Sequence, residues 1–276
     1  MFGLNIFSCL IIEISEYMLY SLTKNTIKGK HMPYSRNFLN KVIARVDHLP
    51  ILILDEERPS SFQELIRNEY PRIDELRGVG IEMPKQGGSF SVEKLPVIWK
   101  LKNKDQTIEI DLSSKYFSLV AFRYVEFLEF FDRLSDVYKH FVENYRPGII
   151  TRIGLRYVNE ISLDGNPFEW QNLLNENLYS TLNAFPDMRN SFARSMHQLH
   201  FTGDDHKIVF QFGIFNSEFP NTIAKKEFIL DYDCISEEEL EPQEVLGKFT
   251  RFNDLICELF EQSIGDGLRK IMNEEG

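Results

Sequence analysis

The stretch Thr151-Arg152-Ile153-Gly154-Leu155-Arg156-Tyr157-Val158-Asn159-Glu160-Ile161 alternates in polarity in the way typical of a β-strand with one buried face. One face of the predicted strand carries Thr151, Ile153, Leu155, Tyr157 and Ile161. The other face carries Arg152, Gly154, Arg156, Val158 and Glu160. Two arginines therefore share a face, and the glycine between them is expected to leave room for a ligand to approach the backbone.

Arg152 and Arg156 are open to more than one interpretation. Guanidinium groups present forked donors to oxyanions, so the pair could bind a phosphate, a carboxylate or a nucleotide. Alternatively, Asp231 and Asp233, which share one face of a later predicted strand, could neutralise the arginines in a cross-strand ion-pair ladder. A metal site at the two carboxylates is a third interpretation, although hard cations normally require more converging ligands.

Asn159 lies on the apolar face of the same predicted strand. A polar side chain buried there must find a hydrogen-bond partner, for which an edge backbone group is a candidate. The candidate ligand-binding residues are therefore Arg152, Arg156, Asn159, Asp231 and Asp233. No catalytic or metal-binding residue is assigned.

The composition indicates a soluble globular protein. The chain has 276 residues, of which 43% are hydrophobic and 13% aromatic, enough to bury a sizeable core. The formal net charge is −11, which argues against direct nucleic-acid binding because phosphate contacts need clustered Lys and Arg. The same charge is compatible with a protein partner, in particular a basic one.

The cysteines indicate a reducing compartment. Cys9, Cys234 and Cys257 are few, odd in number and not spaced as zinc ligands. The sequence therefore predicts a cytoplasmic protein without cofactor or metal.

The first 31 residues are expected to lie outside the fold. Residues 1–22 are apolar-rich, but Glu13 and Glu16 interrupt them and the features of a signal peptide are missing. Lys28-Gly29-Lys30 can be encoded by a purine-rich ribosome-binding sequence just before Met32, so residues 1–31 are interpreted as an over-extended reading frame. A short membrane-contacting amphipathic helix over residues 9–22 is the alternative.

The rest of the chain is predicted to be α+β, with a first half over residues 32–161 and a second half over 162–276 that pack as one unit. The first half is predicted to have strands at Val42–Leu54, Phe90–Leu101, Thr107–Leu112 and Tyr116–Arg123, helices at Phe62–Tyr70 and Val125–Tyr145, and a loop at 74–88. The second is predicted to have a helix over 166–183, strands at Phe192–Thr202, Lys207–Phe215 and Glu227–Ile235, and a long helix from Gly247. Each half thus has the pattern of an antiparallel meander backed by a long amphipathic helix, which predicts a degenerate internal duplication with an open sheet face.

An enzyme is not indicated, although the question stays open. The sequence has no glycine-rich phosphate loop, no HExxH motif and no GxSxG elbow. His197 and His200 fall on opposite faces of a predicted strand, and His206 lies in a turn, so the histidines form no ligand or catalytic set.

The strand Arg152–Asn159 resembles the strand that marks a sporadically distributed bacterial family of uncharacterised function, with the pattern Arg-Ile-Gly-Leu-Arg-Tyr-(Val/Ile)-Asn. Similar features are Pro50, Tyr70-Pro71, Leu230-Asp231-Tyr232-Asp233 and Phe260–Ile264. The resemblance covers roughly Leu39 to Met272, so residues 1–31 lie outside it. Patchy distribution of this kind implies accessory genes on mobile elements, including toxin–antitoxin and antiviral modules.

Together these features predict a non-enzymatic, protein-binding regulatory or accessory subunit, with a partner that is a second copy or is encoded in the same operon. The alternative function is a binder or hydrolase of an anionic small molecule such as a nucleotide, using Arg152 and Arg156. Direct nucleic-acid contact and membrane association are not expected.

Overall fold

The computed structural model describes residues 34–82, 91–163, 170, 172–223 and 227–274. The predictions for residues 1–31, and most of the predicted helix entry at 164–171, lie outside these residues. The α+β prediction is confirmed, because the described residues form a nine-stranded antiparallel sheet, a separate two-stranded sheet and six α-helices.

The strands are β1 (Leu39–His48), β2 (Arg72–Leu76), β3 (Val79–Glu82), β4 (Ser91–Lys94), β5 (Ile98–Lys102), β6 (Ile108–Ser113), β7 (Tyr116–Ala121), β8 (Ile150–Ser162), β9 (Ser195–Thr202), β10 (Lys207–Ile214) and β11 (Glu227–Ser236). The helices are α1 (Ile53–Glu56), α2 (Ser60–Ile66), α3 (Phe127–Tyr145), α4 (Glu176–Tyr179), α5 (Val245–Ser263) and α6 (Asp266–Asn273). The order of strands in the large sheet is β2-β5-β6-β7-β1-β8-β11-β10-β9, while β3 and β4 form the small sheet.

The large sheet is centred on β1 and β8. These strands are antiparallel neighbours, with Ala44 opposite Leu155. On one side, β5, β6 and β7 form a meander whose last strand pairs with β1 and is followed by α3. On the other side, β9, β10 and β11 form a meander whose last strand pairs with β8 and is followed by α5. The strand predicted from Thr151 to Ile161 is therefore one of the two central strands.

The two long helices pack on the same face of this sheet. Phe117 of β7 stacks on Phe141 of α3, and Tyr232 of β11 meets Phe260 of α5 edge-on. The helix-facing side chains of β1 are fully buried, whereas its alternate residues, including Arg45 and Asp47, are half-buried. The sheet thus has a helix face and an open face, as expected for a two-layer α+β fold.

Several predicted elements were wrong in the first half. The strand predicted over Val42–Leu54 ends at His48, because Pro50 has no N–H for the ladder, and α1 follows. The strand predicted over Phe90–Leu101 is two strands, β4 and β5, in different sheets, and Pro96 lies between them. The loop predicted over 74–88 contains the end of β2 and all of β3 in its described part.

In the second half, the described part of the predicted helix over 166–183 contains α4 and a 3-10 turn over Ser180–Asn183, preceded by non-helical residues at 172–175. The remaining predicted strands and the helix α3 are present within one to three residues of their predicted bounds. The helix predicted from Gly247 through Leu268 and Ile271 is instead two helices, α5 and α6, because the backbone is extended at Ile264 and Gly265. In the first half, the helix predicted over Phe62–Tyr70 is α2, which ends at Ile66.

Candidate functional site

The open face carries a group of six charged residues at the centre of the sheet, which we call the central charge cluster. It consists of Arg45 and Asp47 on β1, Arg152 and Arg156 on β8, and Asp231 and Asp233 on β11. The register places Asp47 opposite Arg152 and Asp233 opposite Arg156. The three cations and three anions sum to zero formal charge, so the cluster is not a basic patch.

Arg156 forms the strongest contact in the cluster. Its Nε and Nη2 donate to the two carboxylate oxygens of Asp231 at 2.8 and 2.6 Å, and this hydrogen bonding raises the pKa of the guanidinium. Arg152 instead donates to Asp47 at 3.2 Å. Residues four apart on a strand are separated by about 13 Å. The two arginines therefore bind different carboxylates, and their guanidinium groups do not converge on a single anion.

Gly154 does not provide an open approach to the backbone. A Cβ built on Gly154 would lie 3.4 Å from both terminal nitrogens of Arg152, whose guanidinium folds back over the glycine. The space that the sequence suggested for a ligand is therefore occupied by Arg152.

Asp233 is the least compensated member of the cluster. It has no hydrogen bond or ion pair with any described residue, and burial raises the pKa of its carboxyl group against the opposing effect of Arg152 and Arg156. No group of three or more His, Cys, Asp or Glu residues in the described ranges is arranged to hold a metal ion.

Asn159 lies apart from the other four candidates, on the helix face of β8. Its Nδ2 donates to the carbonyl oxygen of Leu230 on β11 at 3.3 Å. The side chain is 4% exposed and lines a cavity of about 400 Å³ between the sheet, the first turn of α3, α5 and α6. We call this space the midline cavity, since it lies on the helix face of the two central strands, β1 and β8.

Buried hydroxyl and amide groups line the midline cavity. The Tyr157 hydroxyl donates to Oδ1 of Asn253 at 2.8 Å and lies 3.4 Å from the Tyr124 hydroxyl. The Cys257 thiol donates weakly to the same Asn253 oxygen at 3.6 Å. Burial raises the pKa of both tyrosines, and it raises the pKa of Cys257 to about 12, so these groups are neutral at pH 7.

The sequence reasoning missed this cavity. Asn253 is a polar residue within the apolar stripe of α5, next to Phe252 and one turn before Ile256. Such a residue on a buried helix face is a detectable signal, because it must find partners in the core. Its partner Tyr157 comes from a strand almost a hundred residues earlier, which no local pattern reveals.

The position of β9 at an edge of the sheet is the second feature that the sequence did not indicate, although the strand itself was predicted. Its sequence, Ser-Met-His-Gln-Leu-His-Phe-Thr, contains no Asp, Glu, Lys or Arg. It pairs with β10 on one side, and no described residue hydrogen-bonds the backbone groups of its other side. Leu199 and Phe201 of β9 are 43% and 41% exposed.

Comparisons with known proteins found no matching family model and no similar curated protein. None of the helices in the described ranges has the length and apolar character needed to cross a membrane.

Proposed function

We propose that this chain is a non-enzymatic accessory subunit that binds another protein by adding one of that protein's extended strands to β9. The observation that carries the proposal is an eight-residue edge strand with no Asp, Glu, Lys or Arg and with exposed apolar side chains, whose outer backbone groups have no partner among the described residues. Strand addition uses such an edge directly, because its main-chain donors and acceptors are already aligned.

The opposite edge of the sheet is protected. Strand β2 carries Arg72, Asp74 and Glu75 within five residues, and Asp74 accepts a hydrogen bond from Lys102 at 2.8 Å. Charged residues on an edge oppose pairing with another strand. The contrast between the two edges supports β9 as a surface kept available for a partner.

The partner is expected to be a different protein rather than a second copy. A net charge of −11 makes two copies repel each other, whereas a basic partner is attracted and a neutral one is not repelled. Leu199 and Phe201 lie on the same strand face, opposite Phe210 and Ile208 of β10, so the added strand should carry apolar residues at alternate positions.

Affinity purification from the native host tests the proposal. The wild-type chain is compared with Leu199→Lys/Phe201→Lys, and with Ile73→Lys/Leu76→Lys at the other edge as a matched control. We expect a stoichiometric protein to accompany the wild type and the β2-edge variant and to be lost from the β9-edge variant. In the reconstituted complex, amide hydrogen exchange should slow within residues 195–202.

Three outcomes contradict the proposal. The first is an isolated, monomeric wild-type chain, and the second is a partner that the β9-edge variant still binds. The third is a homodimer that accounts for all protection of β9, because it replaces the different protein with a second copy.

The arrangement of strands supports the proposed internal duplication. Each half supplies one central strand, a three-strand meander that returns to it and a long helix, and the first half adds β2 at the edge of the large sheet and the small sheet β3–β4. On this proposal β8 is the counterpart of β1, which moves the boundary between the halves from residues 161 and 162, as predicted from the sequence, to Pro147-Gly148, before the strand.

The proposed setting is the cytoplasm of a bacterial cell, within a toxin–antitoxin or antiviral module. Cys234 and Cys257 are free thiols, and burial raises the pKa of each to about 12, which fits a structural role in a reducing compartment. The module and the family resemblance are supported by the Arg152–Asn159 motif.

The alternative, an anion binder or hydrolase at Arg152 and Arg156, has weaker support because carboxylates of the cluster neutralise its arginines. Its favourable feature is that the Arg156 side chain remains 42% exposed. Isothermal titration with ATP and with inorganic phosphate tests it, since Arg156→Glu should then remove binding while the fold persists.

A further inference from the structure

The midline cavity contains two buried amide groups with hydrogen-bonding capacity left over. Oδ1 of Asn253 accepts from Tyr157 and Cys257, which fixes the orientation of the amide and leaves its Nδ2 as a donor. Asn159 uses Nδ2 on Leu230, which leaves its Oδ1 as an acceptor. Among the described residues nothing bonds either remaining atom, although the side chains are only 5% and 4% exposed.

Two free amide atoms that face one cavity point to an occupant. Both atoms are accessible to solvent rather than fully buried, so a ligand that enters the cavity can bond them in place of water. Both asparagines line the same space of about 400 Å³, which is within the range of small-molecule sites. Most of the remaining wall is apolar, including Val125, Phe127 and Ile256.

The charges around the cavity define the class of ligand. Among the described residues, its lining contains no Lys, Arg or His but includes the carboxylates of Glu126, Asp254 and Glu261, the last of which is paired with Arg269. An anion would meet the carboxylates of Glu126 and Asp254, with no cation in the described lining to offset them. A neutral molecule loses little solvation free energy on entering the cavity, and its polar groups can form hydrogen bonds with both amides.

We propose that the midline cavity binds a small, uncharged, largely apolar molecule that carries an amide, accepting from Asn253 and donating to Asn159. This site is separate from β9 and from the central charge cluster, which lies on the opposite face of the sheet. It therefore does not depend on the proposed protein-binding function.

Two probes of nearly identical shape test the proposal. Neutral 1-naphthamide and anionic 1-naphthoate are titrated separately against the full chain at pH 7.5, with binding followed by ligand-observed NMR. We expect saturable binding of the amide, at least tenfold tighter than that of the carboxylate. Asn253→Leu should weaken amide binding by about tenfold, and Cys257→Phe should remove it by filling the cavity.

Controls separate this site from general effects. Cys234→Ala, at the other buried cysteine, and Leu199→Lys/Phe201→Lys at the edge should both bind the amide as the wild type does. Thermal unfolding confirms that each variant folds. If Asn253→Leu fails to fold, Cys257→Phe still tests the site. The inference is overturned if naphthoate binds equally well, if Cys257→Phe leaves amide binding unchanged, or if the folded wild type shows no saturable binding.

Discussion

At the residue scale, Asp231 and Asp233 show how the same side chain on the same strand face can have opposite energetic roles. Asp231 accepts two charge-assisted hydrogen bonds from Arg156, while Asp233 has no bonded partner among the described residues. Charge-assisted bonds stabilise the folded state, whereas desolvation of an unpaired carboxylate opposes it. The raised pKa of Asp233 reports that desolvation.

Substituting each aspartate by asparagine should therefore give different results. Asp231→Asn should lower the free energy of unfolding by about 1–2 kcal/mol, a value reduced by the partial exposure of Arg156. Asp233→Asn should change it by no more than about 0.5 kcal/mol, or raise it. Urea denaturation at pH 7 measures both, and the two variants are matched because each removes one negative charge. An equal loss in both would show that Asp233 is paired in solution.

At the element scale, the attachment of β9 depends on one glycine of β10. Gly213 has φ +135°, and a Cβ at this position would collide with the carbonyl oxygen of Ser195 at the start of β9. Only glycine adopts this backbone conformation without strain, and the absence of a side chain lets the two strands approach. The position of the proposed docking strand is therefore set by its neighbour.

Gly213→Ala should release the start of β9. We expect a loss of about 2 kcal/mol or more in unfolding free energy and faster amide exchange at residues 195–197. Gly247→Ala, within α5, is the matched control because no atom other than its chain neighbours and the adjacent helix backbone lies within 4 Å of the position that its new methyl group would take. The unfolding free energy of the control should increase by up to about 1 kcal/mol, because alanine has a higher helix propensity than glycine. If amide exchange in β9 is unchanged after Gly213→Ala, the attachment of β9 does not depend on Gly213.

At the scale of the whole molecule, the two proposed halves, divided at Pro147-Gly148, are joined by more than the β1–β8 ladder. Tyr34 donates to Glu261 at 2.5 Å, and Tyr138 of α3 donates to the carbonyl oxygen of Pro242 at 3.1 Å. The buried Tyr157–Asn253 bond also ties the central strand to α5. Separating the halves would expose a central strand edge on each, so we expect them to unfold together.

Trp99 and Trp170 allow this cooperativity to be measured, because each half contains one buried tryptophan. In the single-tryptophan variants Trp99→Phe and Trp170→Phe, fluorescence follows the half that keeps its tryptophan. The urea midpoint from fluorescence should agree with the midpoint from far-UV circular dichroism within about 0.2 M in each variant. Fluorescence and dichroism midpoints that separate in either variant would mean that the halves unfold independently.

Much of the fold was predictable from local pattern. Alternation along Thr151–Ile161 correctly assigns the buried face of β8, and the three- and four-residue spacing of aromatic residues correctly predicts α3. The errors fall where local preference gives way to tertiary packing. Leu54 belongs to an apolar run that looks like a strand, yet it lies buried in α1, where its carbonyl accepts from Trp99 Nε1 at 2.9 Å.

The candidate sites were less predictable, because a site combines residues from distant elements. The sequence determined the class of fold, the two-faced central strand and the charged residues on its open face, since each follows from a period of 2.0 or 3.6 residues. Only the tertiary structure decided that Arg156 binds Asp231, that Asn159 and Asn253 share a cavity, and that β9 lies at an unprotected edge. Strand order and register are set by long-range packing, and they alone determine which residues meet.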